Sequence, residues 1–145
     1  MKQKVSKVKK ITLTALAAVC ALSSAMAISA SAKTYQWTHT VSLATNPGVM
    51  TSISTSMGGT GKMSENFGSY PTIFDGYSTS NNSARAVNEK TGKSYGWKNF
   101  TLTKNYPAVI AVTYGTSMPA GSYYVQYKNV SKGGFRASAT LLRTY

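Results

Sequence analysis

Residues 119–144 read PAGSYYVQYKNVSKGGFRASATLLRT, and the period of this stretch decides the fold class. Tyr123, Val125 and Tyr127 alternate with Tyr124, Gln126 and Lys128. Successive side chains of a strand point to opposite faces, so the first set predicts a core face and the second an outward one. Lys132-Gly133-Gly134 can turn the chain, and residues 135–144 return as a second strand. Pro119-Ala120-Gly121 is a turn at the other end.

The same period recurs toward the amino terminus. Tyr35, Trp37, Val41 and Leu43 alternate with Gln36, Thr38, Thr40 and Ser42, predicting a first strand with its apolar face inward. Asn46-Pro47-Gly48 closes a turn, and a second strand is expected over 49–55. Residues 56–69 (SMGGTGKMSENFGS) have no clear period and read as a Gly-rich loop. Residues 83–88 run into Glu89-Lys90-Thr91-Gly92, with Gly where a left-handed residue is needed, and 93–103 return. Residues 107–115 (PAVIAVTYG) are apolar on both faces, which predicts a central strand covered on both sides. No helical period follows residue 32. About eight short strands at this spacing predict an all-β, antiparallel two-sheet β-sandwich, Ig-like or jelly-roll-like, as a single domain over 33–145.

Residues 1–32 follow a different logic. Lys2, Lys4, Lys7, Lys9 and Lys10 precede a dozen apolar residues (11–22), too few to span a hydrocarbon core of about 30 Å. Small residues then end in Ala30-Ser31-Ala32, with Ala25-Met26-Ala27 as a second site a signal peptidase accepts. The expectation is a secretory signal peptide cut between Ala27 and Ala32, leaving no transmembrane anchor. The single Cys20 leaves with it, so the mature chain is thiol-free and needs no disulfide. The expected destination is extracellular or cell-wall associated.

Charge then narrows the partners. The chain carries 16 Lys+Arg against 3 Asp+Glu, a formal net charge of +13. Arg85, Lys90, Lys93, Lys98, Lys104, Lys128, Lys132, Arg136 and Arg143 lie from Arg85 onward, where Glu89 is the only acid. Internal pairing cannot cancel them, and the resulting field attracts polyanions in a salt-dependent way. Aromatic residues interleave with these cations. The expected ligand-binding set is Tyr95, Trp97, Lys98, Tyr124, Gln126, Lys128 and Arg136, with aromatic planes for stacking on a sugar ring and polar groups for its hydroxyls. Core placement of Trp97 is the competing reading.

Catalytic and metal chemistry find few residues. Gly58-Gly59-Thr60-Gly61-Lys62 has Ser56 and Met63 where a phosphate loop needs Gly and Ser/Thr. His39 is the only His, in line with Trp37 and Val41, and is expected to be buried and hydrogen-bonded; no metal site and no cofactor are predicted. A glycan-processing enzyme would need Glu65 and Asp75 as a carboxylate pair about 5–10 Å apart. The triplets at Asn81, Asn99 and Asn129 are read as chance, not as glycosylation sites.

SARAVNEKTGK (83–93), followed by PAVIAVTYG and GSYYVQY, is similar to the carboxyl half of the lactococcin-type cationic bacteriocins, over less than half of the mature chain. That resemblance implies a secreted β-sandwich acting on the cell-wall precursor lipid II. GSYYVQYKNVSKGGFRASATLL also resembles the last hairpin of secreted glycan-binding sandwich modules. The sequence therefore predicts a secreted, cationic, non-enzymatic protein. Its expected partner is an anionic cell-wall polymer, glycan or lipid headgroup, not a specific nucleic acid. A bacteriocin-like antimicrobial protein is the alternative, and the Glu65/Asp75 enzyme the third.

Overall fold

The computed structural model describes residues 31–48 and 50–145. The export segment expected over 1–32 lies, up to Ala30, outside the described residues. Nine strands follow: β1 Thr34–Leu43, β2 Met50–Met57, β3 Gly61–Phe67, β4 Thr72–Ile73, β5 Thr79–Asn88, β6 Lys98–Thr103, β7 Ile110–Met118, β8 Gly121–Lys132 and β9 Phe135–Thr144. They form two antiparallel sheets, ordered β1-β9-β3-β7 and β2-β8-β5-β6, with the two-residue β4 also on β9. With β4 set aside, the eight long strands follow the jelly-roll order, so of the two sandwich types expected the jelly roll is the one formed. No helix occurs among the described residues.

Alternation positions the core. Tyr123, Val125 and Tyr127 of β8 face Val41 and Leu43 of β1, Phe67 of β3, and Phe135, Ala137, Ala139 and Leu141 of β9, all buried. Phe67 stacks on Phe100 at 4.5 Å between ring centroids and meets Phe135 edge-on at 6.0 Å. These aromatic contacts join the sheets without a disulfide. The Asn46-Pro47-Gly48 and Glu89–Gly92 turns form where expected, with Gly92 at φ +70°.

Three local expectations are corrected. Residues 56–69 are not a loop: Gly61–Phe67 is the third strand, hydrogen-bonded between β9 and β7, Ser56 and Met57 end the second, and only the Gly58-Gly59-Thr60 bend and Gly68-Ser69 are irregular. Gly61 is required there, because a Cβ would collide with the Thr144 carbonyl. Nor is 107–115 a central strand. Residues 107–109 precede β7, and β7 lies at the edge of its sheet, with Ala111 and Thr113 exposed while Val112 and Tyr114 are buried. A mostly apolar run was an ambiguous signal, since Ala costs little at a solvent face. Finally, the apolar face of β1 is only half covered. Val41 and Leu43 are buried, whereas Tyr35 and Trp37 are each 41 % exposed.

Candidate functional site on the outer face of the four-stranded sheet

The outer face of the β2-β8-β5-β6 sheet gathers the polar partners of the core residues. Register places Ser52 opposite Gln126, and Gln126 opposite Arg85. In the next row Met50 pairs with Lys128, Lys128 with Ser83, and Ser83 with Asn99. Trp97 precedes β6, where Ala84 opposite Lys98 starts the β5–β6 ladder, and its indole lies beside Arg85.

The side chains are locked together. The Arg85 guanidinium carbon lies 4.5 Å from the Trp97 ring centroid, and the Lys128 ammonium 4.4 Å from it. Arg85 Nε also donates to Gln126 Oε1 at 2.8 Å. Cation–π contacts of this kind contribute about 0.5–2 kcal/mol each. Both charged groups lie within 4.5 Å of one ring centre, hence within twice that distance of each other. Among the described residues the one ion-pair contact is His39–Glu65, so no carboxylate neutralises either cation. Past Lys128 the face continues into a depression of about 530 Å³ lined by Asn81, Asn99, Thr101, Val130 and Ser131. Its polar groups are cross-linked: Asn81 Nδ2 donates to Ser131 Oγ at 2.8 Å, and Ser83 Oγ to Asn99 Oδ1 at 2.6 Å.

Of the expected site residues, Trp97, Tyr124, Gln126 and Lys128 share this face, each half-buried. Trp97 is not core, but neither is it a bare stacking plane, because two cations occupy its π surface. Three residues fall elsewhere. Tyr95 turns inward, its ring 6.1 Å from that of Tyr123, and burial, followed by that neighbouring hydroxyl, raises its phenol pKa. Lys98 is exposed on β6, but two-residue alternation puts it on the side of Phe100 and Leu102. Arg136 is exposed on β9, in the other sheet, so it cannot stand beside Tyr124. Arg85, absent from the expected set, is the residue that ties the site together. Its period-two place among Ser83 and Val87 was legible; that β5 pairs between β8 and β6 was not.

A second polar cluster is internal. Glu65 is fully buried, and its carboxylate accepts from Tyr114 Oη at 2.5 Å and from Tyr127 Oη at 2.9 Å and 3.0 Å. His39 Nε2 lies 2.9 Å from Glu65 Oε1, with 8 % of the side chain exposed. Neither ring nitrogen is aimed well enough for a hydrogen bond, so this is a close contact without a directional bond. The His39 side chain is thus largely enclosed, though the residue as a whole is half-buried, and the expected hydrogen bond is not made. Burial first, then the Glu65 charge, raises the pKa of both tyrosines well above the ordinary phenol value, so both remain donors.

Glu65 and Asp75 do not form a pair. Glu65 lies opposite Leu141 and Ile73 opposite Phe135. Six residues along β9 separate those points by about 20 Å, and Asp75 lies in an exposed turn beyond Ile73. That exceeds the carboxylate spacing of either glycosidase geometry. Among the described residues no three His, Cys, Asp or Glu side chains cluster as a metal site. No helix there is long and apolar enough to cross a membrane.

The sequence matches no family model, and no curated protein is similar to it. Among solved structures, the CBM36-1 domain of a multidomain xylanase from the hindgut metagenome of Trinervitermes trinervoides is similar over 79 % of this chain and 90 % of its own, with 8 % identity and a TM-score of 0.43. A carbohydrate-binding module CBM36 in complex with calcium and xylotriose is similar over 78 % of this chain and 99 % of its own, with 13 % identity and a TM-score of 0.42. VP2 of infectious bursal disease virus is similar over 78 % of this chain and 32 % of its own, with 10 % identity and a TM-score of 0.43. At TM-scores below 0.5, these likenesses say nothing about what this chain binds.

Proposed function

We propose that this protein is secreted and, without catalysing a reaction, binds an anionic component of the bacterial cell envelope through the outer face of its four-stranded sheet. The observation that carries the reading is the Arg85–Trp97–Lys128 cluster. Two cations are held close together over one ring, with no acid to neutralise them. Ordering them in the free protein lowers the entropy lost when an anion arrives. The surrounding Ser, Asn and Gln side chains supply hydrogen-bonding groups for a glycan carrying that charge.

Cosedimentation of the purified protein with isolated wall material tests this reading. Retention is expected in dilute buffer and release at raised salt. Joint Arg85→Ala and Lys128→Ala substitution is expected to weaken retention at least about tenfold, which corresponds to about 1.4 kcal/mol. Failure to sediment with the wall at low salt would refute the proposal. Growth of neighbouring strains in the presence of the same sample separates binding from killing.

A further inference from the structure

A second depression, of about 380 Å³, is lined by Trp37, Ser54, Ser56, Glu89, Ser122 and Arg143. Trp37 shares the core-facing side of β1 with Val41 and Leu43, yet it is 41 % exposed. His39 stacks against its ring at 4.7 Å and 28°. One side of the indole is thus backed, which fixes its orientation and leaves exposed aromatic surface in the depression. Arg143 Nη1 donates to the Ser56 carbonyl at 2.7 Å, which anchors the guanidinium at the same place.

The chemistry differs from that around Trp97. Glu89 and Arg143 bring opposite charges, and Ser54, Ser56 and Ser122 bring exposed hydroxyls. An aromatic plane suits the C–H face of a pyranose, and a ring of donors and acceptors suits its hydroxyls. The two charges offset each other, so the depression has no net charge to attract an anion, and the unit that fits is an uncharged sugar.

Register connects the two places. Ser56 lies opposite Ser122 and Ser54 opposite Tyr124, followed along β8 by Gln126 and then Lys128, all on one face of the sheet. Six residues of strand separate Ser122 from Lys128, about 20 Å. We infer that the depression at Trp37 is a neutral-sugar subsite and that it forms one track with the Arg85–Lys128 cluster. The ligand of that track is an anionic oligosaccharide, with its charge at Arg85 and Lys128 and an uncharged unit at Trp37, rather than a bare polyanion or a lipid headgroup. This inference rests on the proposed reading of the Arg85–Lys128 face.

The chain has two Trp, one at each end of the track, so single substitutions isolate the signals. Trp97→Phe leaves Trp37 as the only indole, and Trp37→Phe leaves Trp97. Each variant is titrated at low salt with a hyaluronan disaccharide, a hyaluronan decasaccharide (alternating uronate and neutral amino sugar) and inorganic polyphosphate. The decasaccharide is expected to move both emissions over the same concentration range, and the disaccharide neither at those concentrations. Polyphosphate is expected to move Trp97 alone. A further variant joining Trp37→Ala to Ser122→Ala is expected to weaken decasaccharide binding about tenfold and leave polyphosphate binding unchanged. If the decasaccharide moves Trp97 but not Trp37, or polyphosphate moves both equally, the track is overturned while the cationic face stands. If Trp97 responds to neither polymer, the cationic face and the track fall together.

Discussion

Glu65 enters the core on β3 as a residue that ought to be at the surface, and its neighbours explain how it is tolerated. A buried carboxylate without partners costs many kcal/mol. Here Tyr114 donates from the adjacent strand, Tyr127 from the opposite sheet, and His39 approaches from β1 across β9. Tyr127→Phe is expected to lower stability by about 1–3 kcal/mol, the cost of leaving a buried acceptor short of a donor. Urea denaturation at neutral pH measures it, and no change in midpoint would show that the hydroxyl contributes nothing. Both phenols also have folded pKa values raised above the unfolded value of about 10. The sign follows from linkage: their contribution is complete below about pH 10 and is lost as pH climbs past it toward the folded values. Stability is therefore expected to fall between pH 10 and 11, less steeply in Tyr127→Phe. His39 was identifiable as a buried imidazole. Its carboxylate partner was not, because the two lie 26 positions apart and meet only across a third strand.

At the scale of elements, β3 shows what a period-two reading can miss. Met63, Glu65 and Phe67 do alternate inward, but a charged residue in the middle and glycines before it make the pattern resemble a loop. Gly61 contributes by lacking a side chain where β3 passes the Thr144 carbonyl. Gly61→Ala is expected to destabilise by about 2–3 kcal/mol, because backbone must shift to admit the methyl group. Gly58→Ala is expected to cost less, since its Cβ would meet the Tyr145 ring, a side chain that can move. Thermal melts of the two variants compare them, and equal losses would contradict this account. Strands β8 and β9 were readable because every level agreed on them: alternation, turn glycines and aromatic content; that the Gly133-Gly134 turn carries the chain from one sheet to the other, instead of closing a hairpin, was not. The edge position of β7 was not, since apolar content reports neither how many neighbours a strand has nor which faces they cover.

Across the whole molecule, the basic residues divide between two sheets, and that division decides which of them act together. Arg85 and Lys128 share one face, whereas Arg136 projects from the other sheet. Arg136→Ala is accordingly expected to leave wall retention within about twofold, while joint loss of Arg85 and Lys128 lowers it about tenfold. Retention profiles over a salt series distinguish the two. Equal effects would mean that total charge governs binding and the cluster does not.

The alternation in 119–144 and 35–43, the turn residues and the excess of Lys and Arg determined the all-β class, the two-sheet arrangement and the net positive charge. Each is a local or additive property: side-chain direction repeats every two residues, and net charge is a sum. Strand order, the placement of Trp97 between Arg85 and Lys128, and the burial of Glu65 were decided only by the tertiary structure. Those depend on which strands become neighbours, and pairing energy is shared among residues that are distant in the chain. The same pattern of inward and outward side chains fits several strand orders. Packing selects the one that buries Phe67, Phe100 and Phe135 together, and the outer face is assembled as a consequence.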